Sequence, residues 1–438
     1  MPAPLSFQQR WLLDLACQHR EWNCASGYTF RLNGLLSLDL LQRSLDEVVR
    51  RHSSLRARIV SIEGAIGQSI EDEHVCVLEA TSTEGASPAQ IEANATRLAE
   101  EFYELKVDPF TGPLWIARIL RLNACEHWLV LVMHRLIAEC SSIERVFQEV
   151  LALYRELAGF CQSTFPITPP QYVDYALWQQ DTCADWERRH GGYWTGHLAE
   201  TSSICWPDDP DVPPATGGPP GKMGCPFGSE LSTRLREFSR KVRVLAPTVM
   251  MAVYAATLWR WTGQNDFVLP FNVAGRQTQQ RPMVGYFNYV LCLRVKIAGH
   301  ETFRELLNGI SNEFYRALAH QDFGRIAAQR PELLQGTLFQ WITWHPEEAV
   351  QQAVDGAAYP PDIAVERVPI RNFGEGLTIV PPGMSRVEIT MFDSQDGLCA
   401  LGTYSVDRFA QQTMDRLVED LRSATQRFVE DPDSRLAR

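Results

Sequence analysis

Residues 128–142, WLVLVMHRLIAECSS, put five side chains capable of chemistry just beyond an apolar run: His134, Arg135, Glu139, Cys140 and Ser141. A neutral imidazole accepts a proton near pH 7. A guanidinium cannot act as a base, because its pKa exceeds about 12, but it can hold a carboxylate or an oxyanion. A thiol at a helix start beside a cation is in a setting that lowers its pKa. The pattern reads as a strand delivering His134 and Arg135, a short coil, and a helix starting near Ser141, with Glu144 placed to close a capping box. Two readings stand at this point. One is an active site at a strand end. The other is a hydrogen-bonded core histidine, an ordinary Arg135–Glu139 ion pair and a small buried Cys140.

The flanking sequence supplies elements to position these groups. Apolar spacing predicts helices over 36–49, 91–103 and from Ser141 onward, with strands at 28–32, 55–60, 114–120 and 126–134. Residues 81–90 read as a loop. Mixed strands and helices over this length imply an α/β sandwich, assigned to 1–170. A second domain is assigned to 171–438. It has helices at 172–198, 231–242, 248–261, 303–319 and 407–428, a shorter one near 324–328, and strands at 266–272, 289–295, 387–393 and 398–404. Residues 205–225, rich in Pro and Gly, read as an extended connection without regular structure.

The 438 residues carry 41 Lys plus Arg against 53 Asp plus Glu, a net charge of -12. That balance argues against nucleic acid or an anionic membrane as partner. The eleven Cys include no CxxC pair, and the start, MPAPLSFQQRW, lacks a basic segment followed by an apolar one. A cytoplasmic location is expected. The chain contains no GxGxxG after a strand, no GxxxxGK[ST], no GxSxG and no HExxH. His190, His197, Cys205 and Cys225 match no usual zinc spacing, so neither a metal site nor a directly bound cofactor is expected. The strip REFSRKVR, Arg236–Arg243, is locally basic but reads first as a solvated helix face. Trp259, Trp261, Trp341 and Trp344 are candidates for a cavity lining or, more simply, for core.

Several segments in order resemble the condensation domains of nonribosomal peptide synthetases. They are Leu5–Trp11 (LSFQQRW), Arg51–Arg56 (RHSSLR), His134–Cys140, and Tyr172–Gln179 (YVDYALWQ). Ala274-Gly275-Arg276 with Val284–Phe287, His320-Gln321-Asp322, Asp396-Gly397-Leu398 and Tyr404–Phe409 follow. The resemblance covers nearly the whole length. It implies two chloramphenicol acetyltransferase-like α/β sandwich domains in a V-shaped pseudo-dimer, with an interdomain tunnel and a crossover latch from the second domain. It also implies an acyl or peptidyl carrier protein as partner, whose phosphopantetheine arm carries the substrate.

The central segment departs from the family pattern HHxxxDG. His134 takes the first His, a structural one in the family. Arg135 replaces the second His, which in active members orients the acceptor amine or acts as base. Glu139 replaces Asp and Cys140 replaces Gly. The family Asp pairs with the Arg of the AGR segment, so a structural Glu139–Arg276 ion pair is expected. Tyr289 stands where the family writes Asn, Gly324 where it writes Pro, and Cys292 replaces a later Pro. Arg10, Cys140, Ser141, Gly285 and Tyr289 are expected as neighbours of the centre. The His-Arg pairing resembles the X-domain branch of glycopeptide synthetases, written HRxxxDD, which recruits haem monooxygenases rather than forming peptide bonds. The expected role is therefore a noncatalytic recruitment protein that binds a carrier-tethered substrate, with a tailoring oxygenase as a second partner. The alternative is an atypical acyltransferase that makes an amide or ester from a carrier-protein thioester. The chain also reads as self-contained, with no carrier or adenylation segment.

Overall fold

The computed structural model describes residues 2–72, 77–160, 162–212, 219–321, 324–344, 363–368, 380–381, 383–394 and 397–437. The elements run α1 (Phe7–Gln18), β1 (Ala25–Asn33), α2 (Leu38–Arg51), β2 (Ala57–Ile62), β3 (Ala65–Ile70), β4 (Glu79–Ser82), α3 (Pro88–Tyr103), β5 (Trp115–Arg121), β6 (Glu126–His134), α4 (Cys140–Leu157) and α5 (Tyr172–Trp186). They continue with α6 (Gly192–His197), β7 (Gly221–Phe227), α7 (Gly228–Val242), α8 (Ala246–Thr262), β8 (Asp266–Val273), β9 (Tyr289–Lys296), α9 (Phe303–Ala319) and α10 (Arg325–Gln329). β10 (Thr337–Trp344), β11 (Ala364–Val368), β12 (Val387–Ser394), β13 (Gly397–Tyr404) and α11 (Gln411–Glu430) complete the order. The chain forms two compact units that are not divided by a single cut. The first comprises Met1–Cys183, Gly275–Asn288 and Pro346–Thr378; the second comprises Ala184–Ala274, Tyr289–His345 and Ile379–Arg438.

In the first unit a five-stranded sheet has the order β11-β1-β6-β5-β4. β6 lies at its centre, antiparallel to β1 and β5. Its unbroken run Trp128–Met133 is buried throughout, as expected of a strand covered on both faces. Trp128, Val130 and Val132 join Ala95 and Ala99 of α3 in one cluster. On the other face Phe30 of β1 stacks on Phe147 of α4, with ring centroids 3.5 Å apart. α1 starts with a reciprocal capping box between Ser6 and Gln9.

In the second unit a six-stranded sheet has the order β7-β13-β12-β10-β8-β9. β10 runs parallel to β12 and β8, and the remaining pairs are antiparallel. α8 is buried on nearly all sides from Thr248 to Trp259, which makes it a core helix. Its Tyr254 packs near Phe339 of β10, and Phe314 of α9 packs near Phe271 of β8. Among the described residues no single helix is long and apolar enough to cross a membrane.

Several segments differ from expectation. Gly221–Phe227 is an edge strand, not part of an unstructured connection, and Pro226 is tolerated there because an edge needs fewer ladder donors. The region read as a loop at 81–90 contains the end of β4 and the start of α3, which Ser87 caps through its side chain. Ser53–Arg56 forms a 3₁₀ turn, so the strand after α2 starts at Ala57. α4 starts at Cys140 with Glu139 as its N-cap residue, and the Ser141–Glu144 capping box does not form. The last helix starts at Gln411, because the Ser405 carbonyl first closes a turn by accepting from the N–H groups of Arg408 and Phe409.

In the second sheet, Glu388 of β12 is 1% exposed, and burial raises its pKa to about 8. The folded state therefore keeps a proton between about pH 4.5 and 8 that the unfolded chain has lost, so this residue lowers stability as pH rises through that window. Glu388→Gln does not titrate. Its stability relative to wild type should improve from pH 5 to pH 8, by an amount on the order of 3–5 kcal/mol, as read by urea melts at both pH values.

Candidate functional site

The parity of β6 separates His134 from Arg135. His134 shares its face with Trp128, Val130 and Val132, on the side of α3. Arg135 Nε donates to Ser26 Oγ at 3.1 Å, and Ser26 is the β1 partner of Met133, which has the opposite parity. The Arg135 backbone N–H donates to Cys24 O at 2.9 Å. Both side chains are buried, at 2% and 5% exposure.

His134 is not placed as a base. Its Nδ1 accepts the Leu136 N–H at 3.1 Å, which puts the ring proton on Nε2. Burial first, then the Arg135 charge, lower its pKa to about 3, with Asp108 pulling the other way. The nitrogen that would take a proton is already occupied, and protonation there would cost a buried hydrogen bond. The ring lines a cavity of about 340 Å³ together with Cys17, Arg20, Asn23, Lys106 and Asp108. Neighbouring Cys24 is buried, and burial raises its thiol pKa to about 12, so it remains protonated.

Glu139 and Arg276 are paired. Arg276 donates to Glu139 Oε1 from Nε at 3.1 Å and from Nη2 at 2.7 Å. Nη2 also donates to Ser142 Oγ at 2.8 Å, and Nη1 donates to the carbonyls of Gln280 and Met283 at 2.6 and 2.7 Å. The guanidinium lies 4.3 Å from the centroid of the Phe287 ring. Every side of this cation is used, so it organises structure and has no N–H left to present to a ligand.

Gly285 is the other half of this frame. Its carbonyl accepts from Ser142 Oγ at 2.8 Å and from the Glu139 N–H at 3.3 Å, and its N–H donates to Ser142 Oγ at 3.1 Å. A Cβ on Gly285 would sit 1.9 Å from Tyr172 Cδ2. The Tyr172 hydroxyl donates to Tyr286 O, which leaves Ser6 Oγ as donor to the hydroxyl at 2.8 Å. Gln9 Nε2 donates to Leu136 O at 2.7 Å, and Gln8 and Gln179 share the Tyr175 hydroxyl. His52 Nε2 meets Glu149 Oε2 of α4 at 3.0 Å, and Ser54 Oγ donates to Val284 O at 2.6 Å. Segments far apart in sequence thus converge on residues 284–287.

The remaining expected neighbours divide. Ser141 is exposed, and its hydroxyl donates to Glu139 Oε1. Cys140 is half-buried rather than buried. Arg10 lies on the exposed face of α1 and faces Asp14 at 3.4 Å. Tyr289 is fully buried in the second unit as the first residue of β9, paired with Val273. In the basic strip, Arg236 is held by Asp393 and by Ser394 O. Trp259 is buried and bonds Asn265, whereas Trp261 bonds Asp420. Asp322 and Asp396 lie outside the described residues. Sequence reasoning missed Ser142, Tyr172 and Gln9 as parts of the frame. The available signal was the i, i+3 spacing of Glu139 and Ser142 at a helix start, and Gln9 three residues after Ser6.

Comparison with known proteins identifies the class. The condensation domain family matches residues 2–332, and the chain belongs to that family. It is 28% identical over 439 residues to a linear gramicidin synthase protein of Brevibacillus parabrevis, and 26% identical over 451 residues to the chondramide synthase of Chondromyces crocatus. Each match covers 99% of this chain but only 8% and 11% of the respective relative, so the chain spans about a tenth of the length of those proteins. Among solved structures, SgcC5 of Streptomyces globisporus superposes with a TM-score of 0.77 at 23% identity, covering 99% of this chain and 100% of that one. The X-domain from teicoplanin biosynthesis also gives 0.77 at 23% identity, covering 99% and 96%. The fold is the α/β fold of condensation domains.

The frame is open to test at both of its halves. Gly285→Ala forces a Cβ into the Tyr172 ring and should lower stability by more than about 2 kcal/mol, measured by denaturant unfolding. Arg276→Met leaves Glu139 buried without its partner and should cost about 3–5 kcal/mol. Adding Glu139→Gln to that variant should recover part of the loss, as a double-mutant cycle would read.

Proposed function

We propose that the chain acts in nonribosomal peptide or hybrid natural-product biosynthesis as a recruitment protein that binds an acyl or peptidyl carrier protein without forming a peptide bond. The observation that carries this reading is the absence of a usable base at the central segment, where Arg135 stands in the second His position. Arg135 remains a cation, and His134 has its acceptor nitrogen committed to the Leu136 N–H. His134 and Arg135 are the centre of the proposed site; Glu139, Arg276 and Gly285 are its frame. The phosphopantetheine arm of the carrier supplies the tether, and the protein binds no cofactor of its own. A tailoring oxygenase is the proposed second partner. Support comes from the likeness to the teicoplanin X-domain, which has been solved in complex with OxyB.

A second reading is an acyltransferase that forms an amide or ester by orientation alone. It is favoured by the fully bonded frame around Gly285, which is in place although the base is not. The likeness to SgcC5, solved with a naphthyl ethanediol, points the same way.

An intact-mass assay separates the two. With partner carrier proteins loaded with their acyl groups, and with acceptor present, wild type should bind the carrier and give no product above a protein-free control. Arg135→Ala should leave carrier binding within about twofold. Protein-dependent product would overturn the recruitment reading, and Arg135→His alongside it would report what the cation contributes.

A further inference from the structure

The second unit contains a set of buried polar atoms that the central segment does not use. Glu388 and Gln340 are each 1% exposed. Among the described residues, neither carboxyl oxygen of Glu388 has a hydrogen-bond partner, nor has either polar atom of the Gln340 amide, nor Oδ1 of Asn272. Among the described residues no Lys, Arg or His lies within ion-pair distance of Glu388. Buried polar atoms left this way are costly, and several in one place call for a ligand or ordered water.

Register puts them on one face. Glu388 pairs with Leu338 and Thr390 with Gln340, so Glu388 and Gln340 are diagonal neighbours of the same parity on adjacent parallel strands. Phe339 pairs with Phe271, which sets Gln340 beside Asn272 on β8. Phe339 and Phe271 face Tyr254 of α8 and Phe314 of α9. Glu388, Gln340 and Asn272 therefore lie on the face turned away from those helices. The unpartnered atoms are rich in acceptors: two carboxyl oxygens and two amide oxygens against one NH₂ group, that of Gln340. Its chemical complement is a cationic hydrogen-bond donor.

We propose that Glu388, Gln340 and Asn272 form a recognition site for a primary ammonium group carried on the acyl chain of the bound substrate. The assignment to an acyl chain rests on the carrier-tethered reading above; the ammonium site does not. Glu388 would bind as carboxylate and pass its proton to solvent as the ammonium enters, while the two amide oxygens accept the remaining N–H groups. Without ligand the carboxyl stays protonated, in keeping with its raised pKa.

The test uses three probes on wild type, Glu388→Gln and Gln340→Met at pH 7. n-Butylammonium chloride, compared with potassium chloride at equal ionic strength, should raise the Tm of wild type and leave that of Glu388→Gln unchanged. Gln340→Met should give a smaller rise than wild type. Calorimetry in buffers of different ionisation enthalpy should report release of about one proton per butylammonium bound by wild type and none by Glu388→Gln. 6-Aminohexanoyl-pantetheine amide should bind wild type at least about tenfold tighter than heptanoyl-pantetheine amide. Equal Tm values in the two salts, or equal shifts in wild type and Glu388→Gln, overturn the ammonium site. Equal binding of both pantetheine amides with no butylammonium response overturns it while leaving carrier-arm recognition standing. A butylammonium response lost in Glu388→Gln, with no affinity for either pantetheine amide, supports the ammonium site and overturns the carrier-arm reading instead.

Discussion

The first unit depends on the ion pair between Glu139 and Arg276. Arg276 is a fully engaged cation in an interior where an unpaired charge would cost several kcal/mol. It joins the start of α4 to the segment ending at Phe287 through Glu139 and Ser142, and it ties down that segment's own turn through two carbonyls. Gly285 permits the approach because it has no Cβ to strike Tyr172. Glu in place of the shorter Asp is accommodated because Glu139 caps the helix by backbone geometry alone, which leaves its carboxylate free to reach Arg276. Holding the frame and supplying a base are therefore separate matters: one rests on geometry, the other on a single side chain.

That side chain is Arg135. A guanidinium at this position acts on its neighbours. It adds a permanent positive charge beside His134, which joins burial in keeping the imidazole neutral. It also lies near Tyr286, whose hydroxyl pKa burial raises against the pull of the same cation.

Both units leave some buried polar atoms unpaired, in different settings. In the first, the backbone of Gly285 and the Ser142, Glu139 and Tyr172 side chains are bonded to other segments, although the buried Tyr286 hydroxyl beside them is not. In the second, the sheet face bearing Glu388, Gln340 and Asn272 leaves acceptors open. Satisfied networks rigidify; unpaired buried polar groups cost stability.

The sequence by itself determined much of the local structure. The apolar run at Trp128–Met133 specified a two-sided central strand, and the periodic stripe after Ser142 specified α4. Ordered short segments, from LSFQQRW to YVDYALWQ, specified the family and hence the fold. The expected partnership of Glu139 with Arg276 came from that resemblance. What tertiary structure alone decided was everything set by side-chain direction and nonlocal contact. The Leu136 N–H captured His134 Nδ1, Arg10 turned to solvent, and Gly221–Phe227 found an edge to join despite its Pro and Gly. The polar face at Glu388 was equally invisible, since Gln340 and Glu388 are 48 positions apart in the chain and only the parallel register of β10 and β12 makes them neighbours. Periodicity reports which face a residue occupies; only the assembled strands decide what stands opposite it.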